Sequence, residues 1–221
     1  MSALLSAATS AAPLAAGWSV HTLWMRRRID AARRDPLTGL LTRDAFTAYA
    51  SRLMRNGPLA VLVIDLDGFK KLNDRHGHAA GDAALSQIAG RLRVSVRARR
   101  GFVARLGGDE FAAVICSSSS LRLPLVLSEI HAWLCEPIEF EGHLLPTGAS
   151  VGGFWSGDLP VPELSRALRR ADEAMYEAKR HGGGWLIADG PARLQATVDG
   201  RRAGRNGTHL HDNCDDGGEW L

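Results

Sequence analysis

Six consecutive apolar residues, Leu59-Ala60-Val61-Leu62-Val63-Ile64, run without a polar interruption and end abruptly in Asp65-Leu66-Asp67-Gly68. A strand with one face in water alternates apolar and polar residues, so an unbroken run predicts a central strand covered on both faces. Carboxylates at the exit of such a strand stand where open α/β sheets place their ligands. Asp67 reads equally well as the cap of a helix beginning near Phe69. Asp65 is harder to dismiss, because burying a carboxylate is costly unless a cation or hydrogen-bond donors compensate.

A second pair of apolar runs, Val103-Ala104-Arg105-Leu106 and Ala112-Ala113-Val114-Ile115, flanks Gly107-Gly108-Asp109-Glu110-Phe111. The Gly-Gly step predicts a β-hairpin, since glycine tolerates the positive φ angles of a tight turn. Two acids follow directly, where a strand would ordinarily alternate between core and solvent. In an arbitrary hairpin they are solvated; with Asp65 as a partner, 44 residues earlier, they become half of a metal site.

Between these segments, Lys70 to Asp82 mixes donors, acceptors and glycines beyond what a simple connection needs. Asn73 and Asp82 form a set complementary to the guanine edge, which offers N1-H and N2-H₂ beside the acceptor O6. Asp82 also precedes Leu85, Ile88, Ala89 and Leu92 in helical register, so it doubles as a candidate N-cap. His76 and His78, two apart in a Gly-containing loop, read more plainly as exposed side chains than as metal ligands.

Helical stripes are predicted at Phe46, Tyr49, Ala50 and Leu53, with Thr42 as cap, and from Pro162 to His181 through Leu164, Leu168, Ala171, Met175 and Ala178. Leu121 to Leu134 reads as a further helix, Ile138 to Leu145 and Thr147 to Phe154 as two strands, and Trp185-Leu186-Ile187 as a last strand. Lys179 falls at a helix C-terminus, where the dipole favours cations and a phosphate can be reached.

The 221 residues, 45% hydrophobic and 23% charged, suffice for one well-buried domain with appendages. The net charge of +3 is concentrated: Arg26, Arg27, Arg28, Arg33 and Arg34 face only Asp30. The rest carries 22 basic and 23 acidic residues, which gives no footprint for nucleic acid. Three widely spaced cysteines without a CxxC motif fit neither a disulfide framework nor a zinc knuckle, and suit a reducing cytoplasm. Residues 1–25 have no formal charge and precede an arginine cluster, as expected of an N-terminal membrane anchor that leaves the following arginines in the cytoplasm. A soluble Ala-rich helix in a cytoplasmic protein is the alternative. Residues 26–34 then form a basic juxtamembrane linker, 35–188 the folded domain and 189–221 a polar, Gly-rich disordered tail.

Taken together, Asp35-Pro-Leu-Thr-Gly-Leu-Leu-Thr-Arg43, Asp65-Leu-Asp-Gly-Phe-Lys70 with Asn73, His78 and Gly81-Asp82, Arg105-Leu-Gly-Gly-Asp-Glu-Phe111, and Ala171-Asp-Glu-Ala-Met-Tyr-Glu-Ala-Lys179 resemble the GGDEF family of diguanylate cyclases over roughly residues 35–187. The resemblance implies an α/β (α+β), palm-like fold as in class III nucleotidyl cyclases, with a central, mainly antiparallel sheet flanked by helices. Helix and strand patterns alone do not separate this from a doubly wound parallel sheet. It further implies two domains meeting as a homodimer, each with one GTP, to close cyclic di-GMP and release two pyrophosphates. By the same resemblance Asp65, the Leu66 carbonyl and Asp109 hold Mg²⁺, Asp109 accepts the proton and Glu110 supports the site. Asn73 and Asp82 read guanine, His78 lines the pocket, and Lys70 and Lys179 neutralise the triphosphate.

Two departures qualify it. The RxxD product-inhibition positions of many members are Ala98 and Gly101 here, so no feedback is expected through that site. The Gly-Arg-Asn segment that usually follows the last helix is Gly182-Gly183-Gly184, which removes one phosphate-binding arginine. The alternative of a catalytically silent GTP-binding or interaction module draws on that loss, and the intact acids speak against it. A cyclase of altered base specificity is disfavoured by Asp82, because adenine has no N2 amino group.

Overall fold

The computed structural model describes residues 18–190, apart from 20, 26 and 29. In order, the elements are β1 (Leu41–Thr42), α1 (Arg43–Met54), β2 (Leu59–Asp67), α2 (Phe69–His76), α3 (His78–Arg97), β3 (Phe102–Gly107), β4 (Glu110–Cys116), α4 (Leu123–Leu134), β5 (Ile138–Phe140), β6 (His143–Leu145), β7 (Gly148–Trp155), α5 (Leu164–Arg180) and β8 (Gly184–Ile187). Six strands form one sheet in the order β1-β3-β4-β2-β7-β8, while β5 and β6 pair in a separate ribbon. The apolar run lies inside this sheet, antiparallel to β4 on one side and β7 on the other. The antiparallel centre agrees with the expectation, and both edges, β1 on β3 and β8 on β7, are parallel.

Alternate residues of β2 feed two cores. Val61 and Val63 pack with Phe46 and Ala50 of α1 and Ala171 and Met175 of α5. Leu62, Ile64 and Leu66 pack on the opposite face with Ile88 and Leu92 of α3 and Leu127 and Ile130 of α4. Each fully buried Leu or Ile stabilises by at most about 1.5–3 kcal/mol, so this central strand, covered twice, anchors everything attached to its ends. Gly152 of β7 lets α5 approach to main-chain distance: a Cβ there would stand 1.9 Å from the Ala171 carbonyl oxygen.

Several local expectations change. The segment from Ile138 to Leu145 is not one strand but a hairpin, turned at Glu141 and Gly142, both at positive φ (50° and 78°). Asp67 does not cap α2; Gly68, left-handed, takes the N-cap place, and the Asp67 carboxylate accepts from the Ser150 hydroxyl instead. Asp82 does not cap α3, because that helix begins four residues earlier at His78. Thr42 occupies the N-cap of α1 but its side chain makes no capping hydrogen bond. Tyr49 points out of the core and accepts a hydrogen bond from Arg33.

The anchor expected over residues 1–25 lies mostly outside the described residues, as does the tail after 190. Among the described residues no helix is long and apolar enough to cross a membrane.

Candidate active site

The signature turn joins β3 to β4 and packs against the end of β2. Gly107 and Gly108 adopt φ of 145° and 52°, values that favour glycine, and the register slips by one residue between Arg105 and Gly107. The unbroken register of β2 on β4 sets Glu110 opposite Asp65, and the Asp109 carbonyl accepts from the Leu66 amide at 3.3 Å. Two carboxylates distant in sequence are thereby set side by side. Burial raises the Asp109 carboxyl above its ordinary range, and the charge of Asp65 raises it further.

A cation already answers them. Lys179, delivered by the C-terminal turn of α5, donates from Nζ to Asp65 Oδ1 at 2.5 Å. Burial alone would lower the lysine, yet the hydrogen bond and charge of Asp65, with Asp109 and Asp67 beyond, leave it raised. Asp67 lies on the same side of β2 and is held by Ser150 at 2.7 Å.

The outer side of the turn is held through its backbone. Arg105 donates from Nε to the Gly108 carbonyl at 2.9 Å and from its guanidinium to Asp35 at 3.2 Å. Thr38, through both amide and hydroxyl, also donates to Asp35. Burial would raise the Asp35 carboxyl, but the Thr38 hydrogen bonds and Arg105 outweigh it and hold it below its ordinary value. Arg43 donates twice to the Leu106 carbonyl, at 3.3 and 3.2 Å, and stands 3.9 Å from Glu110. These arginines border an open cleft of about 570 Å³ with Asp35, Asp44 and the two glycines.

Other expected residues sit on α2 and α3, which meet beside the end of β2. Asn73 packs over Gly81, whose missing Cβ would fall 1.9 Å from Asn73 Oδ1; a side chain at 81 would displace the amide. Asp82 follows that glycine. Lys70 and His78 are exposed near the starts of the two helices. Gly183, standing where the absent arginine is expected, has φ of 102°, and a Cβ there would meet Asp67 Oδ2 at 2.9 Å.

Among the described residues no three His, Cys, Asp or Glu side chains gather to hold a metal unaided. Two carboxylates flanking a strand carbonyl nevertheless suit a hard divalent ion that keeps waters and shares a substrate's phosphates. The raised Asp109 points the same way, since a cation relieves the repulsion that raises it. The sequence reading missed Arg43 and Arg105 as supports of the turn, although both lie within the motifs it singled out.

The family model described as "Diguanylate cyclase, GGDEF domain" matches residues 32–184. An uncharacterized 19.3 kDa protein of Streptomyces ambofaciens is 48% identical over 164 residues, covering 74% of this chain and 87% of that protein. Diguanylate cyclase TpbB of Pseudomonas aeruginosa is 40% identical over 161 residues, covering 69% of this chain but only 36% of that enzyme. Among solved structures, the GGDEF domain of TpbB superposes with a TM-score of 0.66 at 38% identity, covering 71% of this chain and 94% of that one. The coiled coil and GGDEF domain of DgcB from Caulobacter crescentus, solved in complex with c-di-GMP, gives 0.71 at 25% identity over 82% of this chain and all of that one.

Proposed function

Since the chain belongs to the GGDEF family of diguanylate cyclases, we propose that it condenses two molecules of GTP into cyclic di-GMP and two pyrophosphates, working as a dimer of its GGDEF domain. The observation that carries this reading is the meeting of Asp65, Asp109 and Lys179 at the exit of the central strand. In each half-reaction the ribose 3′-oxygen of one GTP forms a bond to the α-phosphorus of the other. The bond from that phosphorus to the β-phosphate bridge breaks, and pyrophosphate leaves. Asp109, raised and therefore a stronger acceptor, takes the hydroxyl proton. Glu110 supports the turn beside it.

Asp65, Asp109 and the Leu66 carbonyl would hold Mg²⁺, which when bound neutralises charge on the phosphates. Lys179 then exchanges Asp65 for the triphosphate, and Lys70 adds a second positive charge. Asn73 and Asp82 read the guanine edge, with His78 at the pocket's margin. One domain supplies one nucleotide and one set of these groups, so the ring closes only between two copies. Membrane attachment rests on residues 1–25 alone, with a soluble cytoplasmic protein as the alternative.

The glycine at 183 favours a second reading, a silent GTP-binding module, because one phosphate contact is lost. Incubating the dimeric protein with Mg²⁺ and either GTP or ATP, and separating the products, decides between them. Cyclic di-GMP from GTP alone is expected. No dinucleotide from GTP, with dimers present, overturns the cyclase reading.

A further inference from the structure

The β5–β6 ribbon stands apart from the main sheet, and its apolar attachment is small. Ile138 and Leu145 are buried against Ala80 and Ala84 of α3, with Phe69, Leu72 and Phe140 packed at the side. Most of the remaining attachment is polar and comes from two residues one turn apart on α3. Gln87 Nε2 donates to the Glu139 carbonyl at 2.8 Å, while its Oε1 accepts from the Glu139 amide at 3.1 Å. A side-chain amide thus pairs with β5 as a neighbouring strand would. Arg91 spreads its guanidinium over three carbonyls leading into the ribbon: Trp133 at 3.2 Å, Glu136 at 2.5 Å and Pro137 at 2.7 Å. From the exit side, Thr147 Oγ1 lies 2.8 Å from the same Glu136 carbonyl and 3.0 Å from that of Leu134.

This attachment fixes more than the ribbon. Pro146, Thr147 and Gly148, its exit, form one wall of a cleft of about 40 Å³ whose other walls include Leu66, Phe69 and Ala84. The cleft lies between the carboxylate pair, through Leu66, and the base-reading residues, through Leu72 beside Asn73. Small-molecule sites ordinarily enclose about 300–1,000 Å³, so a nucleobase enters here only if a wall gives way. β2 is locked in the sheet centre. The ribbon exit joins buried Leu145 to Gly148 at the start of β7, and the two residues between them, Pro146 and Thr147, lie outside the main sheet, where Thr147 holds the carbonyls of Leu134 and Glu136.

We infer that Gln87 and Arg91 are positioning residues: they set how closely the ribbon closes on the nucleobase and thereby the affinity for the nucleotide. The inference rests on the cyclase reading. Neither residue lines the cleft, and the reacting groups stand on other elements. Loosening the ribbon therefore weakens binding of the ground state and transition state alike and leaves the chemical step intact.

The test uses full-length dimeric protein and 3′-deoxy-GTP with Mg²⁺, a probe that can bind but cannot attack. Its Kd is measured by calorimetry beside kcat and KM for GTP, for wild type, Gln87→Ala, Arg91→Ala and Arg91→Lys. Kd and KM are expected to rise about tenfold in Arg91→Ala and several-fold in Gln87→Ala, with Arg91→Lys between them and kcat within about twofold. Unchanged Kd in both alanine variants, or a fall in kcat with Kd unchanged, overturns the inference while leaving the cyclase reading standing. A wild type that binds no 3′-deoxy-GTP overturns both. Should Arg91→Ala fail to fold, Gln87→Ala decides alone.

Discussion

The signature turn is gripped on two sides, and the grips are of opposite kinds. On its inner side, carboxylates face one another and a single lysine stands between Asp65 and the charge beyond it. On its outer side Arg43 and Arg105 hold main-chain carbonyls, and Asp35 is satisfied by Thr38 and Arg105 together. The inner groups are electrostatically ill at ease without a ligand, whereas the outer ones are at rest. The inner carboxylates are thus kept close together largely by contacts made to the backbone on either side of them. Activity and stability should accordingly separate across the turn.

The sharpest way to break this comparison is Asp109→Ala. Product formation is expected to fall by about 100-fold or more, as for removal of a group that stabilises developing charge, while dimers persist by light scattering. In metal-free buffer at neutral pH its Tm should rise, because a half-buried carboxylate facing Asp65 is gone. Retained turnover would remove Asp109 from the site. Lys179→Met comes next: a roughly tenfold loss of kcat/KM together with a lower metal-free Tm, since Asp65 loses its donor. A Tm unchanged by that substitution would show the lysine to be idle without substrate.

Asp35→Asn probes the outer grip and should act on stability first, costing about 1–3 kcal/mol at pH 7 by urea unfolding. The Asp35 carboxyl is depressed in the folded protein, so its contribution is fully present above its ordinary value of 3.8 and is lost as the pH falls through the folded value. The gap between wild type and variant should therefore be constant from pH 7 to about pH 5 and close at more acid pH. A gap that widens on acidification would reverse the assignment.

Both grips were only half legible in the sequence. The unbroken run at Leu59 to Ile64 announced the central strand, and the Gly-Gly step announced the hairpin, because burial on two faces and positive φ each leave a local mark. The ion pairs left none: Lys179 and Asp65 are separated by 114 positions and Arg105 and Asp35 by 70. The ribbon was read as one strand because Glu141-Gly142 lacks the Asn-Gly or Asp-Gly of common two-residue turns, although both residues take left-handed φ. Edge strands of two and four residues are too short for any periodicity to show that they run parallel. Asp67 and Asp82 misled for a different reason. Each precedes a helical pattern, and only the position where the backbone starts to coil decides which residue caps it.

The contact between Gly152 and the carbonyl of Ala171 has a consequence for how this chain can drift. Along α5, Ala167, Ala171, Ala174 and Ala178 are all small and buried, so the helix lies against the sheet like a ruler, and Lys179 is at its marked end. A methyl group gained at position 152 would lift the ruler and withdraw the ammonium from Asp65 without touching either. On the proposed reading, selection for turnover is felt at a residue that has no side chain at all, on a strand that carries none of the groups proposed to react.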